Sequence, residues 1–310
     1  MKRRPPRSTL DRSSAASDVY KRQAHAYSTL DAAGFRDALE ASTGYDLHPF
    51  FTDQVFAPGF SVFVVQGMAV HPGGGLWDVN LIIQQKLRGA TVFHQEVPLD
   101  ITLIGASGER KEYRQLVGGE FSAVPLQCAF EPVMAVLNGH NRLNQARMDI
   151  DQQLVPGEAF TTNLPRVDFR LYADSLADTT LVRIEHIWAA PDQGPLGTAI
   201  DELSPAHYWT VDGLWPEGTA LHARLTYSAL SPASVDHDFL GTDETGLLVA
   251  YRADASMPVS YTHLRAHETV LDLVCRLLLE KKKQRQDIVD GHSTICKTTD
   301  RFDLTTSMHT

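Results

Sequence analysis

Cysteine is scarce: three residues in a chain of 310 are too few for a disulfide framework. Long apolar runs are missing, and none approaches the ~18 residues a membrane-crossing helix needs, so no membrane span is expected. Positive charge is in deficit, 28 Lys and Arg against 38 Asp and Glu, and the net charge of −10 argues against a nucleic-acid partner. The opening Met1-Lys2-Arg3-Arg4 runs into Pro5-Pro6-Arg7-Ser8 without the apolar stretch of a secretory signal. There is no HExxH zinc motif, no GxSxG elbow and no phosphate-binding glycine loop. What is present is ordinary globular composition, 43% apolar and 21% charged, with length for two domains.

The charge is unevenly spread. Residues 1–23 carry 7 basic and 2 acidic groups, and residues 258–310 carry 8 and 7, which leaves a net −16 for residues 24–257. Both ends back-translate into something specific. Ser13-Ser14-Ala15-Ala16-Ser17-Asp18-Val19-Tyr20-Lys21-Arg22-Gln23 resembles, codon for codon, a transposase-type sequencing adapter. Pro258-Val259-Ser260-Tyr261-Thr262-His263-Leu264-Arg265-Ala266-His267-Glu268-Thr269 resembles the adapter of the opposite end, and Lys281-Lys282-Lys283 resembles poly-A. Residues 1–23 and 258–310 are therefore expected to be adapter-derived, with no partner selected to pack on them and at most a helix around 267–285. The natural chain would be 24–257, with Cys128 its one cysteine.

Within that span the spacing predicts a mainly β chain: a short N-terminal helix pair over 24–57, then two β-sandwich-like domains at 58–150 and 151–257. Ser28-Thr29-Leu30-Asp31 offers a helix start, and Gly44 stands where a C-cap needs positive φ. Asp46 can cap a second helix, which Pro58-Gly59 ends. From Phe60 the period becomes two. Val79, Leu81 and Ile83 alternate with polar residues, and Val97, Leu99, Ile101 and Leu103 alternate with Pro98, Asp100 and Thr102 in what reads as a half-buried strand. Further strands are expected near 113–118, 121–129 and 132–137, then at 180–188, 207–212, 219–228 and 246–252, with 151–164 as a connector. Val167, Phe169 and Leu171 mark another strand.

No chemistry assembles along this span, and no catalytic, cofactor-binding or metal-ligating residue is assigned. Arg183, Glu185, His186 and His207 lie on strands, where pairing on a solvated face is the plain expectation. Asp236-His237-Asp238 reads as an acidic surface turn, since Leu240 and Leu247 occupy ligand positions of a calcium loop. Trp188, Trp209 and Trp215 read as buried anchors, and Cys128 as a buried thiol. His263 and His267 have helical i, i+4 spacing, but Leu271 stands where HExxH needs its second His, and all lie in the adapter-like tail.

The segment Ser42-Thr43-Gly44-Tyr45-Asp46-Leu47-His48-Pro49-Phe50-Phe51-Thr52-Asp53-Gln54-Val55-Phe56-Ala57-Pro58-Gly59-Phe60 resembles the end of the catalytic domain in M1-family zinc aminopeptidases, where a helix pair leads into a β-sandwich. It departs at Gln54, where the family usually has Trp. Phe130-Glu131-Pro132 and Leu137-Asn138 look like the last strand of that sandwich. Segments 184–192 and 208–213 look like an extra C-terminal region of some bacterial members. The resemblance implies a fragment of a zinc metallopeptidase whose zinc ligands, general base and catalytic tyrosine lie upstream, in a catalytic domain that would be its partner. The competing expectations are a stand-alone β-sandwich binding module for protein or carbohydrate, or an inactive relative of the family.

Overall fold

The computed structural model describes residues 29–156, 161–192, 200–217, 219–226, 231–240, 247–252, 275–282 and 302–305. The fold is mainly β, with a short helical region at the start.

In the helical segment, α1 (Ala32–Thr43) is capped by Asp31, whose carboxylate accepts from the Gly34 amide at 2.7 Å. It ends on Gly44, with φ +73, and the Gly44 amide returns to the Glu40 carbonyl. Next, α2 (His48–Phe51) is entered through Asp46, whose Oδ1 accepts from the His48 amide at 3.0 Å. A π-turn over Thr52–Phe56 follows, and the helical path stops at Ala57. Phe51 is buried among the rings of Phe35, Phe50 and Phe56. Leu30, Phe35, Tyr45, Phe50, Val55 and Phe56 are exposed, Leu39 and Leu47 are half-buried, and α1 buries none of its residues.

From Phe60 the chain forms a first sandwich. One sheet has the order β1 (Phe60–Gly73), β2 (Leu76–Arg88), β5 (Phe121–Cys128); the other has β4 (Arg110–Val117), β3 (Val97–Gly105), β6 (Pro132–Leu137). All these pairings are antiparallel. Gly74 and Gly75, both at positive φ, make the β1–β2 turn. The alternating residues Val79, Leu81, Ile83, Leu99, Ile101 and Leu103 interlock between the sheets, and a fully buried side chain of this kind contributes roughly 1.5–3 kcal/mol. β3 departs from the half-buried expectation. It is central, and its second face is covered as well: Asp100 and Thr102 are buried. Arg114 and Arg142 hold the Asp100 carboxylate at 2.8 and 2.9 Å.

The second sandwich packs a sheet containing β7 (Arg147–Leu154), β10 (Thr180–Ile187) and β12 (Tyr208–Gly213) against one containing β8 (Thr161–Leu164), β9 (Phe169–Ser175) and β13 (Ala220–Leu225). Its core is Leu154, Leu164, Val167, Phe169, Leu171, Val182, Ile184, Trp209, Val211, Leu221, Leu225 and Phe239. The expected connector at 151–164 is strand at both ends, because β7 runs through to Leu154 to pair with β10 and β8 begins at Thr161. Between the sandwiches Val62, Val64, Ala146, Ile187, Ala189, Leu203 and Tyr208 form a small apolar joint. Lys86 Nζ crosses it to Asp192 at 2.6 Å, and Arg88 donates to the Trp188 carbonyl while lying over the Trp188 ring.

The tail differs from expectation. Instead of a helix around 267–285, Cys275–Lys282 forms strand β15, paired with β12, β11 (Ile200–Leu203) and β14 (Leu247–Arg252); Phe302–Thr305 forms β16 on β13. The reason is general: a sheet edge presents unpaired backbone donors and acceptors that any extended segment can satisfy. Residues 1–23, His263 and His267 lie outside the described residues. Among the described residues no helix is long and apolar enough to cross a membrane.

Candidate functional site

A cavity of about 1100 Å³ opens beside the joint between the sandwiches. Its polar wall is one face of the β7–β10–β12 sheet. Period two puts Arg147, Asp149 and Asp151 on that face of β7, Arg183 and Glu185 on β10, and Thr210 and Asp212 on β12. The register then sets Arg183 between Asp151 and Asp212, and Glu185 between Asp149 and Thr210. The opposite face of the same strands carries Ile150, Val182, Ile184, Trp209 and Val211 into the sandwich core.

Arg183 and Glu185, expected on a solvated face, are instead at the centre of a largely buried ion network, because the first sandwich covers this side of the sheet. Arg183 reaches Glu185 through Nε at 2.9 Å, Asp151 through Nη1 at 2.6 Å and Asp149 through Nη2 at 2.8 Å. Arg147 holds Asp149 at 2.9 Å and Glu185 at 3.1 Å, and gives a further bond to the Leu137 carbonyl. Burial opposes charge on Glu185, but Arg147 and Arg183 outweigh it and keep the carboxyl below its ordinary value. Asp212 behaves oppositely. Burial, with the repulsion of Glu185, pushes it up to about 6 against the pull of Arg183 and the Gly213 amide.

A second polar group lies within the sandwich. His186 Nε2 and His207 Nδ1 are 2.6 Å apart, and His207 Nε2 is 2.5 Å from Asp236 Oδ1. Two neutral rings satisfy both contacts in one direction: His186 Nε2–H donates to His207, and His207 Nε2–H donates to Asp236. The His186 Nδ1 then stands 3.3 Å from Asp168 Oδ2, off the axis of a hydrogen bond. His186 stacks on Trp209 with centroids 4.4 Å apart, and burial holds its pKa below the ordinary value although Asp168 pulls the other way. His186, His207 and Asp236 are thus interior groups, and Asp236 is no part of an acidic surface turn. The turn at 231–236 delivers it inward as Phe239 enters the core.

Trp209 is a buried anchor, as expected, with its Nε1–H on the Val167 carbonyl at 2.8 Å. Trp215 packs on the same core and lines the cavity, and Trp188 packs on the joint. Cys128 is buried, with its Sγ on the Phe130 carbonyl. Among the described residues Glu40, Asp46 and His48 bring ligand atoms within 4.8 Å of one another. They are engaged in their own turn: Glu40 Oε1 accepts from the Leu47 amide at 2.7 Å and lies 3.0 Å from His48 Nδ1.

The sequence reading missed Arg147, Asp149, Asp151 and Asp212. The available signal was the pair of period-two runs Arg147/Asp149/Asp151 and Arg183/Glu185, opposite charges on matching strand faces. No protein-family model, curated protein or solved structure matches the chain.

Proposed function

We propose that residues 24–257 are the non-catalytic C-terminal part of an M1-like zinc metallopeptidase, and that residues 1–23 and 258–310 derive from translated adapter sequence. The carrying observation is the helical segment. Six large apolar side chains between Leu30 and Phe56 are exposed, and α1 has no buried residue, which suits elements made to pack against a further domain. A self-sufficient binding module has little use for such a surface. The order of elements agrees: Gly44 closes one helix, Asp46 opens the next, and the chain enters a β-sandwich at Phe60 whose last strand begins at Pro132, directly after Phe130-Glu131.

In the parent, zinc would polarise a peptide carbonyl and activate water. The donors present here do not fit that centre. Glu40, Asp46 and His48 are tied up in a helix-joining turn, and the buried histidines form a string in place of a convergent set. The β domains would buttress the upstream domain or shape access to it.

The test compares residues 24–257 with a chain extended upstream through the recovered gene, measuring zinc per chain and amino-acid amide turnover. Stoichiometric zinc and turnover are expected in the extended chain alone, lost when its upstream ligands are substituted. Zinc-dependent turnover by 24–257 would overturn the reading. Silence of both chains would favour the inactive relative or the binding module.

A further inference from the structure

The two sandwiches are fixed to each other at two places, and the cavity borders both. Val64 belongs to the apolar joint, while Leu181 and Leu214 pack on a second apolar contact formed by Ile104, Met134 and Val136; Val64, Met134, Leu181 and Leu214 all line the cavity. Walls held in this way make a preformed space. The charges of the lining cancel, with Arg110, Arg147 and Arg183 against Asp178, Glu185 and Asp212. Hydrogen-bonding capacity of both kinds is left over. Among the donors, Arg110 is exposed and its guanidinium has no partner among the described residues. The buried Trp215 Nε1 and Arg147 Nη1 lack an in-line acceptor, Glu185 standing 3.1 Å from the latter but off its axis. Among the acceptors, Asp212 receives one bond, from the Gly213 amide at 2.8 Å, and Glu185 Oε2 has a long contact with Thr210 Oγ1 at 3.3 Å. Ser107 and Thr179 add hydroxyls. An aromatic surface lies beside these groups. Trp215 is half-buried against the second core, and a Cβ at residue 213 would stand 2.7 Å from its ring, so glycine there lets the indole lie against the end of β12.

We propose that this cavity binds a neutral sugar, with a pyranose ring against Trp215 and its hydroxyls shared among Asp212, Glu185 and Arg110. A simple cation or anion gains no net attraction from a lining whose charges cancel, and an aliphatic ligand would leave the open polar groups unpaired. Each sugar hydroxyl both donates and accepts, so a row of them satisfies carboxylate and guanidinium alike without a charge of its own. The C–H face of the ring is apolar and suits an indole. About 1100 Å³ is room for a disaccharide. The site lies wholly within residues 63–216 and does not depend on the metallopeptidase reading; either can fail while the other stands.

The full chain is titrated calorimetrically with cellobiose, maltose, lactose and diacetylchitobiose at about 0.15 M salt, where exposed charges more than ~8 Å apart are screened. Parallel titrations use spermidine and inorganic phosphate. Trp215→Leu removes the aromatic surface, and Arg110→Met removes an exposed guanidinium that the fold does not use, so it serves if Trp215→Leu fails to fold. Tyr45→Leu removes an exposed ring outside the cavity. Saturable binding of at least one of the four sugars is expected, weakened at least tenfold by Trp215→Leu and severalfold by Arg110→Met, and unchanged by Tyr45→Leu. Binding of none of the four by a chain with a cooperative melt would overturn the proposal. So would sugar binding that Arg110→Met and a folded Trp215→Leu leave intact, equal weakening by Tyr45→Leu, or binding of spermidine or phosphate alone that Arg110→Met alters.

Discussion

His186 Nε2 and His207 Nδ1 stand 2.6 Å apart inside the second sandwich, and the string they begin ends 2.5 Å further on at the Asp236 carboxylate. Asp236 comes from the turn before Phe239, so the string fastens that turn to β10 and to His207, the residue that leads into β12. Removing its end in Asp236→Ala leaves a buried imidazole N–H without an acceptor. The expected cost is about 1–3 kcal/mol, read from urea unfolding. The sign with pH follows from His186, whose folded pKa lies below its unfolded value. The unfolded chain therefore binds the proton more tightly, and stability present above about pH 6.5 is lost as pH falls below it. Because Asp212 acts in the opposite sense over this range, melting temperatures of Asp212→Asn between pH 7 and 5 check this; a melt of that variant flat across the range contradicts it.

Asp212 carries the opposite dependence. Its folded pKa is raised to about 6 from 3.8, so its contribution is most favourable below the unfolded value and is lost as pH rises through about 6. Asp212→Asn should stabilise the unliganded chain at pH 7 by on the order of 1–3 kcal/mol and show little gain at pH 4. A gain independent of pH would show that the carboxylate is not strained by its surroundings.

Leu99 and Asp100 test the packing of β3. Leu99 is fully buried, and Leu99→Asp should cost several kcal/mol, about 3 or more, through an unpaired interior charge. Asp100 is also buried and holds Arg114 and Arg142, both half-exposed, so Asp100→Asn should cost about 1–2 kcal/mol, more than a surface exchange. Burial raises the Asp100 pKa, but Arg114 and Arg142 bring it below the ordinary value, so its stabilisation is present at neutral pH and declines in acid. Chemical denaturation at pH 7 and pH 3 measures both; a neutral Asp100→Asn would mean that the arginines do not hold it.

Much of the strand plan was legible because it is local. Alternation in Val79–Ile83 and Val97–Leu103, glycines at 74 and 75, and the Gly44 cap each reflect residues a few positions apart. The polar faces were not. A strand with Arg183 and Glu185 on one side looks the same whether water or another sandwich covers it, and only the packing of residues 63–68 and 133–137 around the cavity decides. Asp236 meets His207 across 29 positions, and no periodicity reports such a contact. The strand at Cys275–Lys282 was missed because leucine-rich sequence favours helix in isolation, whereas here the edges of β12 and β14 supply partners.

Trimming to residues 24–257 removes β15 and β16 but none of the core residues named for the second sandwich, which lie between Leu154 and Phe239. A cooperative melt within a few degrees of the full chain is expected. A fall of ten degrees or more, or loss of cooperativity, would show that the tail strands are integral and would weigh against an adapter origin.

The most direct measurement is the genomic DNA read across codons 24 and 257. The expected result is a reading frame that departs from residues 1–23 and 258–310 at those junctions and continues upstream of codon 24 into a segment encoding HExxH. A genomic frame that encodes residues 1–310 without interruption would contradict both the adapter origin of the ends and the placement of this chain behind a zinc-bearing catalytic domain.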